Sequence, residues 1–195
     1  MQYRKTAAHC CAFSALGFAS PLCLAAGGSL TPSSPASRNS RPLSEAFLIR
    51  GAVPEDFDRW LPLWDGYNEF YGRTGPTALP SDITDTTWRR FFEVDEPMHA
   101  LVAESQGQLV GFAHYLFHRS TTSIAPICYL RDLYTSQATR GRGVATALID
   151  RVCDQARCAG SPNSYWQTHE TNHLARKLYD KIAERSGFVV YQKSL

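Results

Sequence analysis

The chain has 195 residues, of which 44% are apolar and 12% aromatic, which suffices for one buried core and is unlike a disordered protein. Residues 1–44 hold four of the 20 basic residues and none of the 18 acidic ones. The rest of the chain is therefore slightly acidic, which argues against a nucleic-acid-binding domain and restricts any anion site to a local cluster.

The composition divides the chain into an N-terminal extension, residues 1–44, and one predicted domain, residues 45–195. In the extension, a basic start, an apolar stretch broken by Pro21 and the small residues after it are typical of a cleaved signal. The lack of acids and the Ser/Pro-rich run at 31–37 equally suit an organelle transit peptide or a linker. An artefactual upstream translation start is the third alternative. The apolar stretch is too short and interrupted to span a bilayer.

The six cysteines have no paired spacing, which indicates free thiols and a reducing compartment. We therefore expect an intracellular and mainly cytoplasmic protein, with organelle targeting as the alternative if the extension is a transit peptide.

The first half of the domain is predicted to contain one strand and two helices. An apolar run at 47–52 predicts a strand, and Pro54 followed by two acids is typical of a first helical turn. Bulky apolar residues at spacings of three and four then predict a helix that ends near Gly72. A second helix is predicted from Ser81 or Asp82 to about Val94.

From Met98 the pattern becomes that of strands alternating with helices. Two apolar runs separated by Gly107 predict a β-hairpin, and residues 127–135 predict another strand. A helix with an apolar stripe from Val144 to Ala159 follows. The last predicted elements are a strand, a helix and a strand, at 164–168, 172–185 and 187–191. Together these elements predict an α/β (α+β) fold with a mixed, mostly antiparallel central sheet flanked by helices.

The residues Arg140-Gly141-Arg142-Gly143-Val144-Ala145 form a glycine loop immediately before a predicted helix. A helix N-terminus presents unpaired N–H groups and a partial positive charge, and glycine lets a phosphate approach the backbone. The loop lacks the Lys-Ser/Thr of a P-loop and the third glycine of a dinucleotide fingerprint. By itself it indicates either a phosphate-bearing ligand or a structural turn.

The loop resembles the Arg/Gln-x-x-Gly-x-Gly/Ala signature of the GNAT superfamily of N-acetyltransferases, with Arg140, Gly143 and Ala145 at the matching positions. The resemblance extends over residues 46–195 and includes 129–135 before the loop. After the loop it includes Asn172-x-x-Ala175-x-x-Leu178-Tyr179 and Gly187-Phe188. The stretch 166–172 is similar to a subgroup containing fungal histone and D-amino-acid acetyltransferases and bacterial relatives. The resemblance implies a GNAT-like acyl-CoA N-acyltransferase fold and acetyl-CoA as co-substrate.

In this family the pantetheine arm of CoA enters between two strands that splay apart, often at a bulge whose unpaired N–H groups polarise the thioester carbonyl. The resemblance assigns the pyrophosphate to the glycine loop. The implied cofactor-binding residues are Leu133, Tyr134, Thr135, Arg140, Gly141, Arg142, Gly143, Val144, Ala145 and Asn172.

Tyr179 is the predicted acid for the departing thiolate, because a phenol of pKa about 10 stays protonated at neutral pH. It shares a helix face with Asn172, and in the family that face looks at CoA. The alternatives are a packing role for Tyr179 and a plain N-cap for Asn172. Asp132 is the predicted base, although a neighbouring acid common in related small-amine enzymes is here Arg131. A structural salt bridge for Asp132 is an equal alternative, with Glu170 and His169 as lesser base candidates.

A zinc-protease pattern, His169-Glu170-x-x-His173, competes with this assignment. That motif requires both histidines on one helix, whereas here a strand precedes the pentad and a helix begins near Asn172. The pentad is therefore predicted to straddle a turn, and no metal is expected.

The predicted function is acetyl transfer from acetyl-CoA to a primary amine of a small molecule, an amino acid or a protein lysine, by direct attack in a ternary complex. The alternative is a non-catalytic acyl-CoA-binding regulatory module. We expect neither nucleic acid nor membrane as a partner. A homodimer, common in the family, is compatible with the sequence.

Overall fold

The protein is described here from a computed structural model that covers residues 47–195. The predicted targeting or linker segment lies outside these residues. The strands of the described part are β1 Leu48–Gly51, β2 Met98–Ser105, β3 Gln108–His118, β4 Ile127–Thr135 and β5 Ser164–Trp166. Its α-helices are α1 Phe57–Phe70, α2 Ser81–Arg90, α3 Val144–Cys158 and α4 His173–Ile182. None of these helices is long and apolar enough to cross a membrane.

The strands form one sheet in the order β1-β2-β3-β4-β5, in which the first four are antiparallel and β5 runs parallel to β4. Successive residues of a strand point to opposite faces, so Phe112 packs with α1 and α2 while Ala113 packs with α3. Two apolar cores therefore cover the two faces. The predicted mixed, mostly antiparallel sheet flanked by helices is confirmed.

The predicted stripe of α3 forms one core almost as expected. Val144, Leu148, Val152 and Ala156 are at most 3% exposed, because their spacings of four keep them on one helix face. Ala159 does not join the stripe, since α3 ends at Cys158.

On the other face, α1 buries Trp60, Leu63, Trp64 and Tyr67 against the sheet. The rings stack along the helix, with centroids 5.3 Å apart for Trp60 and Trp64 and 5.4 Å apart for Trp64 and Tyr67. Each such side chain contributes on the order of 2 kcal/mol through burial. This packing fixes the position of α1 above the centre of the sheet.

The predicted strand at 187–191 is wrong. Residues 183–195 contain neither helix nor strand, and Phe188 and Tyr191 are each 91% exposed. The segment has the composition of a strand, but a strand also requires a neighbour for its N–H and C=O groups, and this segment pairs with none of the described strands. Three other elements are shorter than predicted, since α2 ends at Arg90, α4 at Ile182 and β5 at Trp166.

A buried carboxylate ties β1 to the start of α1. Asp56 accepts hydrogen bonds from Arg50 at 2.6 and 2.9 Å, from the Val53 N–H at 3.0 Å and from Arg59. Arg50 also pairs with Glu104 of β2 at 2.6 Å. The hydrogen bonds from Arg50 outweigh the effect of burial and lower the pKa of Asp56 to about 2.

We expect Asp56→Asn to lower the free energy of unfolding by ~2 kcal/mol at pH 7, because Arg50 and Arg59 then keep only Glu104 as a carboxylate partner. Since the folded state lowers the pKa, this contribution is present above the unfolded pKa, near 4, and is lost as the pH falls towards 2. Denaturant unfolding at pH 7, 5, 3 and 2 should therefore give a shrinking difference from wild type. A difference independent of pH would contradict this account, and Asp65→Asn, at an exposed position of α1, is the control.

Candidate active site

The site begins where β4 and β5 part. The two strands pair at Cys128–Ser164, Tyr129–Tyr165 and Leu130–Trp166, after which β5 ends and β4 continues to Thr135. On the other side of β4, Asp132 pairs with His114 and Leu130 with Tyr115, so that Arg131 is an extra residue, a β-bulge. Because a bulge bends its strand, β4 turns at the position where its parallel partner leaves. Beyond Leu130, one edge of β4 has no strand beside it within residues 47–195.

A cavity of about 540 Å³ occupies the gap between the parting strands. This volume lies within the range of small-molecule sites. Residues 133–135 of β4, the first turn of α3, the coil after β5 and one face of α4 line it. Tyr67, Phe70 and Tyr71, from the end of α1, close one side. Trp64, one helical turn before this group, belongs to the core alone.

The glycine loop brings the N-terminus of α3 to this cavity. Gly141 and Gly143 have φ angles of 77° and 86°, a left-handed conformation that glycine adopts without strain. Gly143 is the N-cap of α3, and no side chain caps the helix, so its first N–H groups keep their hydrogen-bonding capacity for an anion. Nine of the ten predicted cofactor-binding residues line the cavity; Arg142 does not.

The face of α4 that lines the cavity includes Asn172, Ala175, Leu178 and Tyr179. Asn172 is the N-cap, because its Oδ1 accepts the Ala175 N–H at 3.3 Å, while its Nδ2 donates to Thr168 at 3.2 Å. Its amide thus satisfies the helix end at the cavity wall.

Tyr179 packs with its ring edge-on against Trp166, with centroids 5.4 Å apart. Burial raises the pKa of Tyr179 to about 12. The phenol therefore remains a proton donor at any physiological pH.

Asp132 lies behind the cavity wall and not on it. Its Oδ1 accepts the Tyr67 hydroxyl at 2.6 Å, and its Oδ2 lies 3.1 Å from His114 Nδ1. Burial alone raises the pKa of Asp132, but the interactions with His114 and Tyr67 outweigh it and hold this pKa below its usual value. Tyr67, which does line the cavity, stands between Asp132 and any ligand.

Sequence reasoning singled out neither Tyr67 nor His114 as a catalytic residue. The pairing of the two strands is the signal that could have pointed to His114. His114 lies in the hairpin strand that pairs with β4, and a residue opposite Asp132 in an antiparallel pair has its Cβ within ~5.5 Å.

The charged residues that line the cavity are all basic in the described part of the chain: Arg131, Arg140, Lys177 and Lys181. Arg131 donates to the Tyr129 hydroxyl at 3.4 Å and forms no salt bridge with a carboxylate of residues 47–195. The cavity therefore attracts anions.

The zinc-protease pattern does not form a helical metal site. Because α4 begins at His173, His169 and Glu170 precede the helix, and His169 Nδ1 lies 2.7 Å from the Thr171 hydroxyl. Within residues 47–195, no group of three or more His, Cys, Asp or Glu is placed to hold a metal ion.

Comparisons with known proteins agree with this geometry. Residues 60–183 match the family described as acetyltransferase (GNAT). The chain is 30% identical over 154 residues to a D-amino-acid N-acetyltransferase of Saccharomyces cerevisiae, covering 78% of this chain and 93% of that protein. It is also 30% identical over 148 residues to an uncharacterized N-acetyltransferase of Bacillus subtilis, covering 73% of this chain and 94% of that protein.

Solved structures show the same fold. A ribosomal-protein-alanine N-acetyltransferase from Brucella melitensis has a TM-score of 0.63 at 23% identity, over 77% of this chain and 100% of that chain. An aminoglycoside N-acetyltransferase solved with CoA has a TM-score of 0.66 at 18% identity, over 78% of this chain and 97% of that chain. No observation favours the non-catalytic module. The chain belongs to the GNAT family of acetyltransferases and transfers acetyl from acetyl-CoA to an amine.

Proposed function

We propose that acetyl-CoA lies in the cavity between β4 and β5, with its pyrophosphate at the N-terminus of α3 and its pantetheine arm beside Leu133, Tyr134 and Thr135. The observation that carries the proposal is the cavity itself, which joins an uncapped helix N-terminus to a half-buried tyrosine through an unpaired strand edge. Each part suits one part of the cofactor. The N–H groups bind phosphate oxygens, and the strand edge binds the amide groups of pantetheine.

The glycine loop provides the first test. Gly143→Ala adds a Cβ where φ is 86°, so the loop either strains or relaxes away from its phosphate-binding shape. We expect the Kd for CoA to rise about tenfold, corresponding to a backbone cost of 1–2 kcal/mol. Isothermal titration calorimetry measures it directly.

Gly160→Ala is the matched control for this substitution. Gly160 also has a left-handed φ, 73°, and like Gly143 it has open space where a Cβ would lie, but it follows the other end of α3. It should lower thermal stability while leaving the Kd for CoA unchanged. Equal Kd values for the two variants would refute phosphate binding at Gly143.

We propose Tyr179 as the acid of the transfer step. The neutral amine attacks the thioester carbon, the carbonyl becomes an oxyanion, and collapse of the intermediate breaks the C–S bond. The Tyr179 O–H gives its proton to the departing thiolate, and the proton shed by the acylated nitrogen restores the phenol. The position of Tyr179 on the cavity wall beside Trp166 supports this role.

Tyr179→Phe removes the donor while keeping the ring that packs on Trp166. We expect kcat to fall about 100-fold and the Kd for CoA to change less than twofold, since general acids contribute roughly 10² to 10⁴ in rate. Because the pKa of Tyr179 is raised to about 12, the wild-type kcat should show no fall between pH 7 and 10 from loss of this proton. An unchanged kcat in the variant would remove Tyr179 from the mechanism.

We propose that the acceptor is an amino acid. The basic cavity lining supports an acceptor that carries a carboxylate and disfavours polycations such as polyamines or histone tails. Arg131, at the bulge, is the basic residue nearest in sequence to Asp132, and a guanidinium binds carboxylates with paired N–H groups. The yeast relative that is named a D-amino-acid N-acetyltransferase supports the same class of acceptor.

An acceptor screen tests this class. We expect kcat/KM for D- or L-amino acids to exceed that for their amides at least tenfold, because the amide lacks the charge that Arg131 binds. Arg131→Glu should reduce or invert that preference while leaving the Kd for CoA within a few-fold. Histone peptides or spermidine as the best substrates would overturn the amino-acid assignment and leave acetyl transfer standing.

A further inference from the structure

Four side chains form a hydrogen-bonded chain from the aromatic core to the cavity, and Tyr71 lies beside the Tyr67 end of it. Trp60 Nε1 donates to His114 Nε2 at 3.2 Å, and His114 Nδ1 lies 3.1 Å from Asp132 Oδ2. Asp132 Oδ1 accepts the Tyr67 hydroxyl at 2.6 Å. Trp60 and His114 are at most 1% exposed, so water cannot substitute for any link at that end.

The direction of every bond in this chain follows from the chemistry of its ends. An indole N–H can only donate, so His114 Nε2 carries no proton and accepts. The ring is then the neutral tautomer with its proton on Nδ1, which it donates to Asp132. A carboxylate can only accept hydrogen bonds, so the Tyr67 hydroxyl must use its single hydrogen to donate to Asp132.

Tyr67 therefore has only acceptor lone pairs left for its neighbour Tyr71 and for the cavity that both residues line. Burial and the negative charge of Asp132 raise the pKa of Tyr67, which keeps the hydroxyl protonated and the direction of the bond fixed. A group that binds there must donate a hydrogen. Of the two substrates of the reaction, acetyl-CoA has its pantetheine N–H groups beside the edge of β4 in the proposed site, so the amine is the one left to donate to Tyr67.

We propose that the Tyr67 hydroxyl oxygen binds an N–H of the acceptor amine, and that Asp132, His114 and Trp60 are positioning residues that fix Tyr67 as an acceptor. The proposal rests on the proposed function, because the amine has to reach the thioester in the same cavity. Both the ammonium and the neutral amine carry N–H groups, so either form is bound. Holding one N–H also restricts where the nitrogen lone pair points, which favours attack in a fixed direction.

This arrangement differs from direct base catalysis by Asp132. Both oxygens of Asp132 already accept hydrogen bonds, and Tyr67 covers the carboxylate on the cavity side. Asp132 thus acts on the amine only through Tyr67. The two roles predict different results when both residues are changed.

Two near-isosteric substitutions test the proposal. Tyr67→Phe removes the acceptor, and we expect the KM of the amine to rise about tenfold or more while the Kd for CoA stays within twofold. Asp132→Asn reverses the direction of the hydrogen bond between residue 132 and Tyr67. The His114 N–H requires the amide oxygen of the new residue, so the amide N–H faces Tyr67. The Tyr67 proton is then turned into the cavity, and the KM of the amine should rise at least as much as in Tyr67→Phe.

The double variant separates an indirect role of Asp132 from a direct one. If Asp132 acts through Tyr67, Asp132→Asn should change kcat/KM less than threefold in the Tyr67→Phe background. If Asp132 is itself the base, it should cost its full effect there too, and the proposal is overturned. Tyr165→Phe is the control, since it also removes a hydroxyl bonded to a histidine, His118 at 3.1 Å, and lies outside the cavity lining.

Folding and the underlying function are checked separately. The variants must bind CoA with the wild-type Kd, which shows that they are folded. If Asp132→Asn does not fold, the amine KM of Tyr67→Phe by itself tests the proposal. A wild-type protein that acetylates no amine refutes the proposed function. An active wild type whose amine KM is unchanged in Tyr67→Phe refutes only the role of Tyr67.

Discussion

The separation of β4 from β5 after Leu130 is the constraint on which the site depends. Two parallel strands would otherwise continue side by side and satisfy each other's backbone groups. The extra residue Arg131 bends β4 where the pairing stops, and β5 ends there. The sheet thereby gives up hydrogen bonds on one side of β4 and gains a cavity whose wall is an unpaired strand edge. The N-terminus of α3 and the face of α4 then need only to border that gap.

The open half of β4 keeps its position because its other edge is fully paired. β3 follows it from His114–Asp132 to Gly111–Thr135. Gly111 makes this approach close, since a Cβ there would lie 2.8 Å from the Tyr134 carbonyl oxygen. On the α1 side, Phe112 and Tyr134 pack in the aromatic core. The pairing with β3 and the packing against the aromatic core thus hold this half of β4 in place without β5.

The features that the sequence predicted best are local. The stripe of α3 and the glycine loop depend on residues within a few positions of one another, and both lie where the pattern indicated. The strand at 187–191 failed because its partner is a matter of tertiary structure, which composition does not encode. The surroundings of Asp132 illustrate the same limit, since its partners Tyr67 and His114 come from two distant elements. Its role as the base stays a prediction.

The position of Asp132 behind the cavity wall also fits the charge of the cavity. The four basic side chains that line it favour the phosphates of CoA, and a carboxylate exposed among them would form ion pairs and weaken that attraction. An amine, however, needs an acceptor of hydrogen bonds. A tyrosine hydroxyl that donates to a carboxylate behind the wall supplies such an acceptor without adding a net charge to the wall. In the proposed site, the chain from Trp60 to Tyr67 therefore lets one cavity receive an anionic cofactor and an amine at adjacent positions.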